Sequence, residues 1–553
     1  MMKSNNQDTP KTLTQSAIRF GSGTFLSRIG GLLRDMSMAF FFGTDPAIAA
    51  FLVAFRLANL LRRIFGEGAL LNSFVPHFES HRETNPKQAA QFFRDILFSL
   101  ALVLFLLIGV IELICFFWVI FGGGRPDNQE IVILTMIMLP GLLFICLFSL
   151  CSGLLQCEKS FFLSGVAPLI FNVVWIGSIW MFKDIAPSSA VRNLSFAVTF
   201  AFLFQWLMLL PKTFLFLRSH LTWIEFFQGK LFSSEIRQMI SSMSMTIVGV
   251  GAVQINSAVD AVFARYASLE GPAYLNYAIH LQQLPLALFG IGISTALLPP
   301  LARAIKDLGL YAKLLQFALS NAILLLFPCC IAIFVLGSSG INLLYGRGDF
   351  NNESVTQTTL CLWGYGIGLI PMGIALLLAP AFYARKDYWT PTIASFISLG
   401  INFVLNILFV LVFQRGAASL SLATSLAACC SLFFLWSRFS KITGIKIFLP
   451  VVLSSWRIAL CSGIAGIITL IVAYMAFDES ILLLLFGTIG KSFSRDFISQ
   501  VIHFFTLSGT FVFSFLALYQ TTAALVGLEH EFKFSSAITN EHPKNEIPKN
   551  LIQ

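Results

Sequence analysis

Charged side chains are scarce in this chain. Asp, Glu, Lys and Arg together make up 11% of its 553 residues, against roughly 25% in ordinary soluble domains. With 57% hydrophobic residues and a mean hydropathy of +0.81, that shortage excludes a water-soluble globule and implies a polytopic membrane protein. Tyrosine is scarce too, 10 residues against 58 phenylalanines, a bias that suits surface facing lipid. The ten cysteines lie in or beside apolar runs, with no C-x-x-C pair and no histidine cluster. They read as small apolar fillers, not as metal ligands or disulfides. No G-x-x-x-x-G-K-[ST] loop occurs, so no ATPase is built in, and no catalytic arrangement appears. The segments between apolar runs are too short to fold an active-site domain. The polar start, Met1 to Thr14, lacks the pattern of a cleavable signal peptide.

What is present in abundance is long apolar sequence. Windows of about 20 residues, the length that crosses a bilayer, fall at 16–42, 48–76, 93–121, 131–156, 162–182, 193–211, 238–264, 272–300, 313–337, 355–380, 389–413, 417–437, 455–477 and 499–527. These predict an all-α polytopic membrane protein of about 14 transmembrane helices. A short run, Ile481 to Phe486, is expected to lie at the interface, and the polar tail from His530 is expected to be disordered. With the N-terminus placed in the cytoplasm, inner segments hold 23 Lys and Arg and outer segments 8. The positive-inside rule therefore predicts both termini inside. The net charge of +9 is sorted by membrane side, so it speaks for topology and not for nucleic-acid binding.

The chain also repeats itself. Under a shift of 224 residues, Ala54, Leu57, Leu60, Phe65, Gly66, Gly68 and Pro76 fall on Ala278, Leu281, Leu284, Phe289, Gly290, Gly292 and Pro300 without a gap. The copies are six spans apart and so share an orientation. This predicts two parallel six-helix lobes plus two C-terminal helices, an arrangement typical of transporters. The expected divisions are a polar N-terminus (1–15), a first lobe (16–211), a cytoplasmic linker (212–237), a second lobe (238–437), the two added helices (438–527) and a tail (528–553).

Five arginines interrupt the first two spans: Arg28, Arg34, Arg56, Arg62 and Arg63. An arginine at mid-bilayer costs about 2.5–3.5 kcal/mol on insertion scales, so they must face protein or a water-filled cavity. Arg56, Asn59, Arg63 and Glu67 share one helical face, with Arg62 roughly 120° away, and Arg63 can pair with Glu67. Arg28 shares a face with Asp35, and Ser27 with Arg34. Gly21, Gly23, Gly30 and Gly31 make the first span bendable, so a kink can converge these groups. Two carboxylates cannot neutralise five guanidinium groups, and the surplus predicts a site for an anion. Where the first lobe has Arg56, Arg62 and Glu67, the second has His280, Leu286 and Ile291, so the cationic function belongs to the first lobe. Elsewhere, Asp260 reads as a coupling-ion ligand, an arginine partner or a locally satisfied carboxylate. Arg265 lies near it, and His280 is either functional or satisfied by a helix neighbour.

The run "SGTFLSRIGGLLRDMSMAFFFG" followed by "AFLVAFRLANLLRRIFGEGALLNSFVPHF" strongly resembles the MurJ (MviN) family of bacterial lipid II flippases. "YGRGDF", "LAPAFYARKDYWTP" and "GAASLSLATSL" resemble later segments of that family. The resemblance implies a fourteen-helix member of the multidrug/oligosaccharidyl-lipid/polysaccharide exporter superfamily in the bacterial cytoplasmic (inner) membrane. The implied substrate and partner is lipid II, undecaprenyl-diphosphate carrying the peptidoglycan disaccharide-pentapeptide, handled by a monomer among membrane lipids. It implies substrate-site roles for Arg28, Arg34, Arg62 and Arg63, and gate positions for Ser27, Asp35 and Arg265. Spans thirteen and fourteen are implied to form a groove for the lipid tail. An aspartate of many relatives falls on Ala49, and an Asp-Arg pair of some relatives falls on Ile279 and His280. No cofactor is expected beyond a coupling cation such as Na+ or H+, or the membrane potential. The alternative is a cation-coupled multidrug or other polyprenyl-diphosphate-oligosaccharide exporter of the same superfamily. A polymerase acting on the same lipid would need an essential acid near the outer face, for which the short loops offer few candidates.

Overall fold

A computed structural model describes residues 10–65, 69–122, 126–158, 160–444, 448–477 and 495–525, with side chains left undescribed at some positions, Arg63 among them. The Ile481–Phe486 run, Glu67 and the C-terminal tail lie outside the described residues.

Among the described residues, helix runs through each of the fourteen predicted spans. Span one is α1 (Pro10–Phe42), span two is divided between α2 (Pro46–Phe65) and α3 (Ala69–Thr84), and span three is α4 (Pro86–Phe121). Span four is α5 (Pro126–Met138) and α6 (Gly141–Cys157), bent by 41° where they meet. Spans five and six are α7 (Phe161–Phe182) and α8 (Pro187–Leu207). The expected linker is itself helical, with α9 (Leu210–His220) and α10 (Trp223–Phe227), and α11 (Ser234–Ala267) is span seven. Span eight is α12 (Gly271–Pro285), a π-helical stretch (Leu286–Ile291) and α13 (Gly292–Arg303). Spans nine to twelve are α14 (Leu308–Tyr345), α15 (Asn352–Ala384), α16 (Trp389–Asn406) with a second π-helical stretch (Ile407–Val412), and α17 (Ala418–Thr443). The added pair is α18 (Phe448–Phe477) and α19 (Phe497–Leu525).

Among the described residues nine helices are long and apolar enough to cross a membrane, and the bent α5–α6 pair makes a tenth. The four other expected spans, those of α1, α2–α3, α11 and α12–α13, each include residues whose side chains are not described. Several helices begin earlier than hydropathy predicts because polar caps start them. The Asn85 side chain accepts from Lys87 N with Pro86 in the first turn of α4, and the Asp307 side chain accepts from Leu310 N at the start of α14. Such caps satisfy orphan amides at a helix start whether or not the segment is apolar.

The repeat seen in the sequence is repeated in the packing. The contacts α1–α7, α7–α8, α6–α8 and α3–α4 recur as α11–α16, α16–α17, α15–α17 and α13–α14. One apolar core lies among α1–α8 and another among α13–α17. A third joins the lobes, with Ala39 and Ala49 of the first against Tyr274, Tyr277, Ile341 and Phe350 of the second. Helix α11 packs on α2 and α3 as well as on α16, so it is shared between the lobes. The α18–α19 pair leans on α14. All ten cysteines are free thiols.

Candidate functional site

Helix α1 runs without a break from Pro10 to Phe42, and Gly30 serves its contact with α7. A Cβ on Gly30 would stand 2.8 Å from Leu169 Cδ1 of α7, so the bare backbone lets α7 lie close. This approach gives α1 two polar faces.

The first face looks into α7. Arg34 donates from Nη1 to Asn172 Oδ1 (3.2 Å), and its guanidinium lies 4.7 Å from the centre of the Trp175 ring. Asn172, 5% exposed, donates in turn to the Ser27 carbonyl at 3.1 Å. The remaining edge of Arg34 reaches around the helix to Asp35, with Nε and Nη2 donating to Oδ1 at 3.0 and 2.8 Å.

The second face looks toward the other lobe. Asp35 Oδ2 stands 2.8 Å from His280 Nδ1 of α12, an ion-pair distance between partly buried side chains (13% and 34% exposed). Arg28 lies seven residues before Asp35, within about 20° of it around the helix. It is exposed, and among the described residues no protein group bonds or pairs with it. The same helical face therefore carries, among the described residues, an exposed guanidinium about two turns from a pair that joins the lobes.

The other predicted residues divide in the same way. Arg56 crosses between lobes, donating to the Ser257 carbonyl and to Asn276 Oδ1, both at 3.4 Å. Arg62 is half-buried and engaged with other groups of the protein. Arg63, by its side chain, and Glu67 lie outside the described residues. Among the expected gate and coupling residues, Asp35 and His280 face each other. Arg265 sits farther out, where Nη1 donates to the Pro46 carbonyl (2.8 Å) and to the carbonyl of Leu269. Because α11 ends two residues later at Ala267, Arg265 reaches a carbonyl of the turn that follows and that of the first residue of α2.

Asp260 lies in the second lobe, 4% exposed, with neutral hydrogen-bond partners. Asn402 and Asn406 Nδ2 donate to its Oδ1 at 2.6 and 2.7 Å, and the Thr424 hydroxyl donates to Oδ2 at 3.1 Å. The amide oxygens of both asparagines are buried without a partner. At the end of the bundle where α1 meets α2 lies a hollow of ≈720 Å³ whose lining includes Asp45, Glu270, Asp349 and Glu353. Asn172, Trp175, Asn402 and Asn406 were not anticipated as site residues. The signal available was the polar amide inside an otherwise apolar span, at positions 172, 402 and 406.

Comparison with known proteins gives a concordant result. The family described as "Lipid II flippase MurJ" matches residues 38–488. The chain is 35% identical over 436 residues to the "Probable lipid II flippase MurJ" of Chlamydia muridarum, covering 78% of this chain and 79% of that one. It is 31% identical over 417 residues to the "Lipid II flippase MurJ" of Burkholderia cenocepacia, covering 73% and 80%. Among solved structures it resembles "Lipid II flippase MurJ, inward closed conformation" with a TM-score of 0.71, 21% identity and coverage of 92% and 99%. An inward-facing multidrug transporter of the MATE family matches with a TM-score of 0.61, 13% identity and coverage of 78% and 99%. At those identities the two structures speak for the fold alone.

Proposed function

The chain belongs to the MurJ family of lipid II flippases, and on that premise we propose that it moves lipid II from the inner to the outer leaflet of the bacterial cytoplasmic membrane. Both termini face the cytoplasm in this reading. The observation that carries it is Arg28, an exposed guanidinium on the same helical face as Asp35, whose pair with His280 joins the lobes. A diphosphate is matched by bidentate guanidinium donors, while the undecaprenyl chain can stay in the bilayer. Arg34 and Arg62 stand on the same two helices and contribute the surrounding positive charge.

Transport proceeds by alternating access. The headgroup loads from the inner side onto Arg28. Opening outward requires the lobes to part at Asp35–His280, at Arg56 and at Arg265, which releases the headgroup outside. A coupling cation is accommodated at Asp260. The carboxylate there is buried with only neutral hydrogen-bond partners, and rotation of the Asn402 and Asn406 amides would turn two partnerless oxygens toward it. Such a ring of oxygens suits a hard monovalent cation or a proton.

The test is headgroup translocation of labelled lipid II in proteoliposomes holding the purified protein. Translocation that requires the protein is expected. Efflux of cationic drugs without movement of lipid II would return the multidrug alternative, which the exposed guanidinium of Arg28 disfavours.

A further inference from the structure

The "YGRGDF" segment has no part in the arginine site, yet its backbone makes a tight contact between the lobes. The loop Gly346–Asn351 joins α14 to α15 at the end of the bundle that the charge count places outside. Opposite it are the last turn of α1 and the turn that follows. Asp349 N donates to the Phe40 carbonyl at 3.0 Å, a backbone hydrogen bond between lobes. Beside it, the Thr44 and Ser354 hydroxyls are 2.7 Å apart and the Tyr277 hydroxyl donates to the Gly43 carbonyl at 3.3 Å.

Two glycines make this approach feasible. Gly43 and Gly348 both have left-handed backbones, with φ of +54° and +61°. A Cβ on Gly348 would lie 2.0 Å from the Phe40 oxygen, and one on Gly43 would lie 2.4 Å from the Asp349 oxygen. Each glycine therefore faces a carbonyl of the opposite lobe, and both obstructing atoms are backbone, which cannot rotate away. The same loop is held from behind by α19. Gln500 Nε2 donates to the Gly346 carbonyl (3.1 Å) and Asn342 Oδ1 (3.3 Å), Arg495 donates to the Gly348 carbonyl (3.3 Å), and the Arg347 guanidinium lies 4.7 Å from the Phe497 ring.

We infer that Gly43 and Gly348 are positioning residues of the outer gate, whose missing side chains let the lobes close backbone to backbone, and that α19 sets the gate by holding the Gly346–Asn351 loop in place. This rests on the alternating-access reading above. It assigns the α18–α19 pair a mechanical role in the cycle, because any displacement of α19 is passed to the loop that meets α1.

The experiment pairs a closure sensor with transport. Thr44→Cys with Ser354→Cys places two thiols across the closed gate within disulfide range, and oxidative cross-linking in membranes reads the closed population. Gly348→Ala or Gly43→Ala should lower that population roughly tenfold or more, from backbone strain and direct overlap together. Lipid II translocation should fall in proportion while lipid II binding, measured by native mass spectrometry, persists. Gly444→Ala is the control: its φ is +69° but nothing lies within 4 Å of the added carbon, so it carries the strain without the overlap and should cross-link as the parent does. Gln500→Ala, which leaves the loop backbone untouched, should lower cross-linking about threefold by loss of its two hydrogen bonds. Parental cross-linking and translocation in both gate-glycine variants overturn the inference. So does equal damage from Gly444→Ala. If the gate-glycine variants fail to accumulate, unchanged cross-linking in Gln500→Ala overturns it. Absence of translocation by the parent protein refutes the flippase reading instead.

Discussion

Arg28 and Arg34 lie two turns apart on one helix, and their surroundings predict opposite mutant signatures. Arg28 is exposed and bonds to no protein group among the described residues, so Arg28→Ala should change stability by no more than about 0.5 kcal/mol. The bidentate contact with a diphosphate proposed for it would be worth about 1.5–3 kcal/mol per charge-assisted hydrogen bond. Losing both should weaken headgroup binding about 10²–10⁴-fold. Arg28→Lys keeps the charge but not the fork, and should lose about 10–100-fold. Arg34 by contrast makes two bonds to Asp35, one to Asn172 and a stacking contact with Trp175, at 17% exposure. Arg34→Ala strips Asp35 of its nearest cation and should cost roughly 2–4 kcal/mol of stability, less than a fully buried pair because water still reaches it. The assay is lipid II translocation in proteoliposomes alongside thermal unfolding followed by size-exclusion chromatography. The expected pattern is lost transport at parental stability for Arg28→Ala, and loss of both for Arg34→Ala. Full translocation by Arg28→Ala, or a fall in its stability matching that of Arg34→Ala, would refute the division of the two arginines.

Other sites lead to further expectations. Asp260→Asn should make translocation insensitive to the sodium or proton gradient while the protein still accumulates, since the amide can keep the Asn402 and Asn406 contacts after they turn; an undiminished ion dependence would remove Asp260 from coupling. His280→Gln removes the imidazole that faces Asp35 and should lower the cross-linking of the Thr44→Cys, Ser354→Cys sensor several-fold. Asn172→Leu keeps the volume against α1 but releases Arg34 and the Ser27 carbonyl, and should reduce translocation about tenfold through loss of one charge-assisted hydrogen bond and one neutral one; parental activity would show that Trp175 and Asp35 orient Arg34 unaided. Outside the membrane, Glu225 caps α10 and bonds to Lys87, and that bond, with those from Thr222, holds its carboxyl down at about 2 from the usual 4.5. A depressed carboxyl stabilises the fold above its ordinary value and loses that contribution as pH falls from about 4.5 toward 2. The linker should therefore become more open to protease or hydrogen exchange across that window in the parent, and should show no such step in Glu225→Gln.

Much of the architecture was legible before any coordinates. The bilayer leaves a spanning chain few options: backbone amides must be satisfied within each segment, so apolar length translates directly into helices. The gapless shift between Ala54–Pro76 and Ala278–Pro300 correctly foretold that the lobes share a packing pattern. The helical faces of α1 were legible too, because spacing alone puts Arg28 with Asp35 and Ser27 with Arg34. Less legible were the ends of helices, where Asn85 and Asp307 extend α4 and α14 into polar sequence, and the linker, where α9 and α10 form outside any apolar run.

The choice of partners could not be read in advance. That Asp35 meets His280 depends on how far along α12 the lobes touch, and periodicity within one helix carries no information about its register against another. The same holds for Asn172 beneath Arg34, for Asn402 and Asn406 around Asp260, and for Gly43 against the Asp349 carbonyl, all joined across well over a hundred residues. Composition and periodicity by themselves determined that this chain is a two-lobed helical membrane protein with surplus positive charge in its first lobe, because those properties follow from local transfer energies and helical repeat. Only the tertiary structure decided which arginine is neutralised, which stays open to an anion and where the lobes close, because those outcomes depend on contacts that form when helices distant in sequence pack side by side.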